Sequence, residues 1–457
     1  MPSESELLKM SASDQARLLQ SGEVSSLELT NLYLKRIAQS NDALSAFTYV
    51  AHRRARRIAK SWDRRHAKGV APQSPLSGVP TGVKDLAFVR AMPTRFGSRA
   101  VPAISPLSDG LVTKRIRAGG MVILGKLSTS EFGAMPVTEP DTHAPTRNAF
   151  NHGHTSGGSS GGSATAVAAG LLPIAQGSDG AGSIRIPSSL QHLVGLKPSR
   201  GLISHITPVD KGLRLSSVGG LGRTVEDVAG FLDVLADWSQ DFVGRYRQDL
   251  PKGLRVRLSL DSPLCATETE FQAATQKVAS ILEGYGSEII PTPWPEVELE
   301  EFLTLWQRLM ANAPAIMESR LQPVTTWLRN EGKNITREES VQTRIRLERL
   351  ILDCFGNADL WVSPTVAMKP PKIGEWRDDD PETSFRNILG MGVYTAGYNV
   401  SGQPAISIPM GLCKDGFPIG VQIAGRTGAD AQVLQAARVI EQAVGGFRTE
   451  RIDSVFC

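Results

Sequence analysis

Apolar positions repeat at helical spacing over the first seventy residues. Leu29, Leu32, Tyr33 and Ile37 recur every three or four positions, behind a Ser25/Glu28 capping box with Val24 placed to staple against Leu29. A second helix is expected over His52–His66, where Ala55, Ile58, Ala59 and Trp62 share one face. Arg53, Arg54, Arg56, Arg57, Lys60, Arg64 and Arg65 crowd the rest of it. That charge reads as a solvated outer face, with a polyanion-binding patch as the alternative.

From about Leu76 the texture changes to short apolar runs separated by Gly- and Ala-rich stretches. Residues 122–124 read as a buried strand, entered from a helix that ends near Gly119-Gly120, and residues 172–177 read as another. The small residues of 164–170 predict a helix that packs close to a sheet. This alternation predicts an α/β core. Beyond Pro251, residues 254–260 suggest a strand, and 271–285, 302–317 and 344–352 suggest helices. Residues 404–409 and 419–423 form two strand patterns around the turn residues Lys414-Asp415-Gly416. Asp430 is placed to cap a last helix through Val433, Leu434, Ala437 and Ile440, which stops at Gly445-Gly446. No internal repeat or low-complexity linker interrupts the chain. The expected organisation is one large domain over 1–457. It has a helical region at 1–70, a core at 76–230, a variable substrate-side region at 251–380, and a return to the core at 381–457.

Composition narrows the class. The 457 residues are 41% hydrophobic and 21% charged, as in a globular protein with a large core. A net charge of +4 is small for this length and argues against a nucleic-acid or membrane partner. Cys265, Cys354, Cys413 and Cys457 are widely spaced, without a CxxC pair or a Cys/His cluster. They read as free thiols in a reducing compartment. The acidic, polar N-terminus lacks a leader pattern, and the longest apolar stretch, 164–175, is too short to span a bilayer. A cytoplasmic protein is the expectation.

Two stretches carry candidate chemistry: Gly157-Gly-Ser-Ser-Gly-Gly-Ser163 and Gly177-Ser-Asp-Gly-Ala-Gly-Ser-Ile-Arg-Ile-Pro-Ser188. The first lacks the Gly-Lys-Ser/Thr of a phosphate loop and the glycine order of a dinucleotide loop. In the second, Gly180, Ala181 and Gly182 leave backbone N–H groups open to a bound carbonyl, with Ser183 at the end of the turn as a plausible nucleophile. A helix opening near Pro187 would add its dipole. A serine needs a base, and none of the seven histidines sits in a triad-like motif. A lysine kept neutral by burial is the alternative, and Lys84 ends the apolar run Val79-Pro-Thr-Gly-Val-Lys84-Asp85. Taken singly, Lys84 reads as well as a surface lysine in a Lys-Asp turn, Ser159 as a loop hydrogen-bonder and Ser183 as a helix cap.

Together these pieces resemble the amidase signature family. Gly125-Lys126, Thr146-Arg147-Asn148, Gly195-Leu-Lys-Pro-Ser199, Arg223-Thr-Val-Glu-Asp227, Asn399-Val-Ser-Gly-Gln-Pro-Ala405 and Gly420-Val-Gln422 extend the resemblance over most of the chain. It implies one α/β/α domain with a central mixed, mostly parallel sheet covered by helices. It implies a hydrolase of amide or carbamate C–N bonds that needs neither metal nor organic cofactor. By the same resemblance Lys84 is the base, Ser159 a proton relay in a cis peptide, and Ser183 the nucleophile. The N–H groups of Gly180, Ala181, Gly182 and Ser183 are implied as the oxyanion hole. Asp179 and Arg185 are implied as residues that hold the loop.

Ala181-Gly182 stands where the family usually has two glycines, and that variant is similar to nylon-oligomer hydrolases. Thr138-Glu-Pro140 points to the same branch. Ser130 replaces an Asp usual in the family, and the pattern of tRNA-dependent amidotransferase subunits is weaker. Such a subunit, or a non-catalytic binding member, is the alternative. Loops at 132–143, 303–316, 376–398 and near Ile206 carry Met135, Trp306, Met310, Met391 and Tyr394. With Ala134, Met135, Met391 and Tyr394 as substrate contacts, they suggest an apolar or aryl amide, carbamate or urethane as substrate. A monomer or homodimer is expected.

Overall fold

The computed structural model describes residues 2–204, 213–236 and 240–447. Eleven strands form one sheet: β1 (Phe47–Val50), β2 (Pro80–Lys84), β3 (Val122–Leu127), β4 (Ile174–Asp179), β5 (Val194–Lys197), β6 (Ser217–Gly222), β7 (Arg255–Leu258), β8 (Glu288–Pro291), β9 (Leu360–Pro364), β10 (Ala405–Leu412) and β11 (Pro418–Gly425). Their order is β1-β3-β2-β4-β6-β5-β10-β11-β9-β7-β8. The strands of the 251–380 region thus extend the same sheet at one end. The α/β architecture and the mixed sheet match expectation, but "mostly parallel" does not. Only β2–β3, β2–β4, β7–β8 and β7–β9 run parallel. The other six neighbouring pairs are antiparallel. The hairpin β10–β11, with β5 and β9 beside it, supplies three of these pairs; β6 runs against both β4 and β5, and β1 against β3.

The central strands β2, β3, β5 and β6 are buried along their whole length, which explains their continuous apolar and glycine-rich runs. The helix Gly161–Ala168 is buried at every position, so only small side chains fit. Ser26–Leu44 has the expected capping box, and His52–His66 buries Ala55, Ala59 and Trp62 while its basic face looks outward. Among the described residues no helix is long and apolar enough to cross a membrane.

Three local expectations need correction. The helix foreseen at 302–317 is Leu299–Ala311, because Pro314 disfavours helical backbone just before it. The helix at 344–352 is part of Arg337–Phe355, opened by a Thr336/Glu339 capping box. Asp430 is the first residue of the last helix rather than its cap. Its carboxylate accepts instead from the Ser199 N–H and hydroxyl. Cys265, Cys354 and Cys413 are free thiols. Cys457 and the segment near Ile206 lie outside the described residues.

Gly332 lies in the helix Pro323–Asn334, against the backbone of Leu299–Ala311. A Cβ there would sit 1.9 Å from the Gln307 carbonyl oxygen. In an open helix, Gly→Ala stabilises by about 1 kcal/mol. Here the collision reverses the sign, and Gly332→Ala should lower stability by about 1–3 kcal/mol. Scanning calorimetry checks this, and a raised midpoint would refute the close crossing.

Candidate active site

The site is assembled from the ends of two neighbouring parallel strands. β2 ends at Lys84, whose backbone N–H donates to Gln176 Oε1 on β4 at 2.9 Å. Lys84 is fully buried, and its Nζ lies 2.7 Å from Ser159 Oγ and 3.2 Å from the Ser178 carbonyl oxygen. Asp85 does not pair with it. That carboxylate forms a buried ion pair with Lys126 of β3 at 2.8 Å. Lys84 is therefore not a solvated Lys-Asp turn. Burial pushes its ammonium down to about 7, against the opposing pull of Asp179.

Ser159 follows a cis Gly158–Ser159 peptide bond. The turn around it is held by Thr138, whose hydroxyl donates to the Gly157 carbonyl at 2.8 Å and accepts from the Gly161 N–H. The Ser160 N–H donates to the Ser183 carbonyl at 3.1 Å, which ties this turn to the second one.

The second turn is wrapped around Asp179, at the end of β4. Its carboxylate accepts from the N–H groups of Gly182 at 2.7 Å, Ile184 at 3.1 Å and Arg185 at 3.4 Å. It also accepts from Arg185 Nε at 3.0 Å, Arg185 Nη2 at 2.9 Å and Asn399 Nδ2 at 2.9 Å. The remaining guanidinium donors reach the Thr395 carbonyl, Gln422 Oε1 and Asn399 Oδ1 at 2.6–2.9 Å. Both charges are fully buried. Burial works to raise the Asp179 carboxyl, but Arg185, Lys197 and Asn399 hold it well below the usual carboxylate range. Asp179 and Arg185 thus hold the loop. Asn399 and Gln422 belong to stretches noted for resemblance alone, because their roles depend on contacts more than 200 residues away in sequence. Thr395 escaped notice entirely. Gly182 has φ 127°, and a Cβ on it would meet the Thr395 hydroxyl at 2.2 Å, so the position requires glycine.

This arrangement revises the expected oxyanion hole. The Gly182 N–H is committed to Asp179, and the same carboxylate occupies the amides that open the helix Arg185–Leu190. The N–H groups of Gly180, Ala181 and Ser183 make no hydrogen bond to another described residue. Of these residues, Ala181 and Ser183 line the adjoining cavity.

That cavity has a volume of about 110 Å³ and an almost wholly apolar wall. Ala134 and Met135 line it, as do Trp294, Phe302, Trp306 and Tyr398. Trp306 packs on Gly180, and its indole N–H donates to the Ala134 carbonyl at 3.0 Å. Met391 and Tyr394, read as substrate contacts, are not in the wall. Met391 is fully buried, and Tyr394 is packed on Trp294 with its hydroxyl bonded to Thr267 at 2.6 Å. Met310 is also buried outside the wall. No described histidine lines the cavity. Among the described residues, no group of three His, Cys, Asp or Glu side chains comes together as a metal site requires.

The mixed sheet thus sets Lys84 and Ser159 in contact, in a turn bonded to the Ser183 turn, which opens on an apolar cavity. The family model described as Amidase matches residues 28–434, and the chain belongs to that family. A Synechocystis sp. protein provisionally named an amidase is 34% identical over 98% of this chain and 91% of its own. Among solved structures, 6-aminohexanoate cyclic dimer hydrolase is similar with a TM-score of 0.88 and 30% identity, over 97% of this chain and 99% of that one. A bacterial aryl acylamidase of the amidase signature family aligns with a TM-score of 0.86 and 25% identity, over 98% of each chain.

Removing one member of a buried ion pair leaves the other charge uncompensated. Arg185→Met should therefore lower the unfolding free energy by about 3–5 kcal/mol. Urea denaturation measures it, and a loss under about 1 kcal/mol would contradict the central role given to this pair.

Proposed function

We propose that the protein hydrolyses the C–N bond of apolar or aryl amides and carbamates, with Ser183 as nucleophile, Ser159 as proton relay and Lys84 as base. One observation carries this reading. A buried lysine lowered to about 7 lies 2.7 Å from a serine, in the turn bonded to the Ser183 loop, and Ser183 faces an apolar cavity. Neutral Lys84 takes the Ser159 hydroxyl proton as Ser159 takes that of Ser183. Ser183 Oγ attacks the carbonyl carbon, and the oxyanion accepts from the amides of Ala181 and Ser183, with Gly180 beside them. The tetrahedral adduct expels the amine, which receives the relayed proton. An acyl ester remains on Ser183, or an alkoxycarbonyl (carbonate) ester when the amine leaves a urethane. Water, deprotonated through the same relay, cleaves it. The apolar wall supports an apolar or aryl substrate, and the likeness to an aryl acylamidase supports an amide.

A second buried lysine, Lys197, is also pushed down to about 7, by burial and then Arg185. Its Nζ donates to the Pro198 carbonyl and it does not line the cavity, so it has no route to Ser183. Only Lys84 should therefore shape the rate. A protonated lysine cannot accept a proton, so kcat/KM should rise with pH through about 7 and level off above it. A profile flat from pH 5 to 9 would exclude the lysine base. With purified chain alone, anilide and aryl carbamate substrates should turn over. Ser183→Ala should cut kcat by about a thousandfold or more. Retained activity in that variant would remove Ser183 from the mechanism.

A further inference from the structure

One polar group in the cavity wall has no use in this chemistry. Tyr398 lines the cavity, is 1% exposed, and its hydroxyl has no hydrogen-bond partner among the described residues. Of the other polar side chains in the wall, Ser183 is the proposed nucleophile, Trp306 donates its N–H to Ala134, Trp361 donates its N–H to Ser259, Trp294 packs edge-on against Tyr398, and Glu298 is exposed. Burial without a partner is costly for a hydroxyl, and such groups are uncommon in folded proteins. Burial also pushes phenol ionisation up, so the group is a donor over the whole working range of pH.

Its position is set relative to the nucleophile. Tyr398 sits on the helix Ala396–Ser401, which is joined to the Ser183 turn from two sides. Thr395, just before that helix, donates its hydroxyl to the Ala181 carbonyl at 2.6 Å. Asn399 Nδ2 donates to the Asp179 carbonyl at 2.8 Å. The Tyr398 ring meets Trp294 edge-on at 5.8 Å, which limits its movement. The offset between the phenol and Ser183 is therefore a fixed length of the fold.

We infer that Tyr398 is a specificity residue that donates a hydrogen bond to a second acceptor on the substrate, a carbonyl or ether oxygen set at a fixed distance from the scissile bond. The scissile carbonyl is taken by the loop amides, so this acceptor is a separate group on an otherwise apolar amide or carbamate. The inference rests on the reading of Ser183 as nucleophile.

The test uses anilides with acyl chains of equal length, in which one methylene at successive positions is replaced by a carbonyl or an ether oxygen. The all-hydrocarbon chain is the reference. In the wild-type protein one oxygen position should raise kcat/KM over its neighbours by about tenfold. Tyr398→Phe should abolish that preference, bringing the oxygen-bearing substrates to within about twofold of the hydrocarbon reference measured on the same variant. If no position is preferred by the wild type, the inference is overturned. An equal loss on every substrate in Tyr398→Phe also overturns it, because a structural role would act on all alike. Ser183→Ala on the same series separates this from the parent reading: undiminished turnover there refutes the nucleophile, whatever Tyr398 does.

Discussion

The buried pair of Asp179 and Arg185 is what the rest of the site depends on. Two unit charges without solvent are stable only when every donor and acceptor is met. Here all five guanidinium N–H groups have partners, and the carboxylate accepts six hydrogen bonds. Those partners come from the β4 turn, the segment around Asn399 and strand β11. Satisfying one ion pair therefore fixes three distant parts of the chain. The Ser183 turn takes its shape because its amides converge on a carboxylate, and Ser183 is left facing the cavity.

The lysine is prepared by a related device with the opposite result. Asp85 is adjacent to Lys84 in sequence, yet its carboxylate goes to Lys126. Lys84 is left with a hydroxyl and a carbonyl as neighbours, and burial dominates. A close carboxylate favours the charged form of a lysine, so pairing Asp85 with Lys126 leaves burial unopposed at close range beside Lys84.

How much of this was legible beforehand depended on how local each feature is. Caps, helix faces and turn residues act over a few positions, so Ser26–Leu44, His52–His66 and the β10–β11 hairpin were readable. Lys84, Ser159 and Ser183 stood out through local motifs, and the structure brings the first two into contact. Strand direction was not, because it depends on which strands become neighbours. The commitment of the Gly182 amide to Asp179 was also hidden, since glycine-rich turns look equally open in sequence. Met391 and Tyr394 showed that an apolar or aromatic residue beside a cavity can belong to the wall behind it. Tyr398, four residues beyond Tyr394, does face the cavity, and only the packing distinguishes the two.

Much of the cavity wall comes from other stretches of chain than Lys84, Ser159 and Ser183. Those three sit on β2 and two turns at the neighbouring strands, whereas Trp294, Phe302 and Trp306 belong to a segment around the helix Leu299–Ala311. From that helix, the Trp306 indole rests on Gly180 of the Ser183 turn and bonds to Ala134. Exchanges in the segments around Trp294–Trp306 and Phe385–Val400 can therefore reshape the cavity while β2 and the two glycine-rich turns stay as they are.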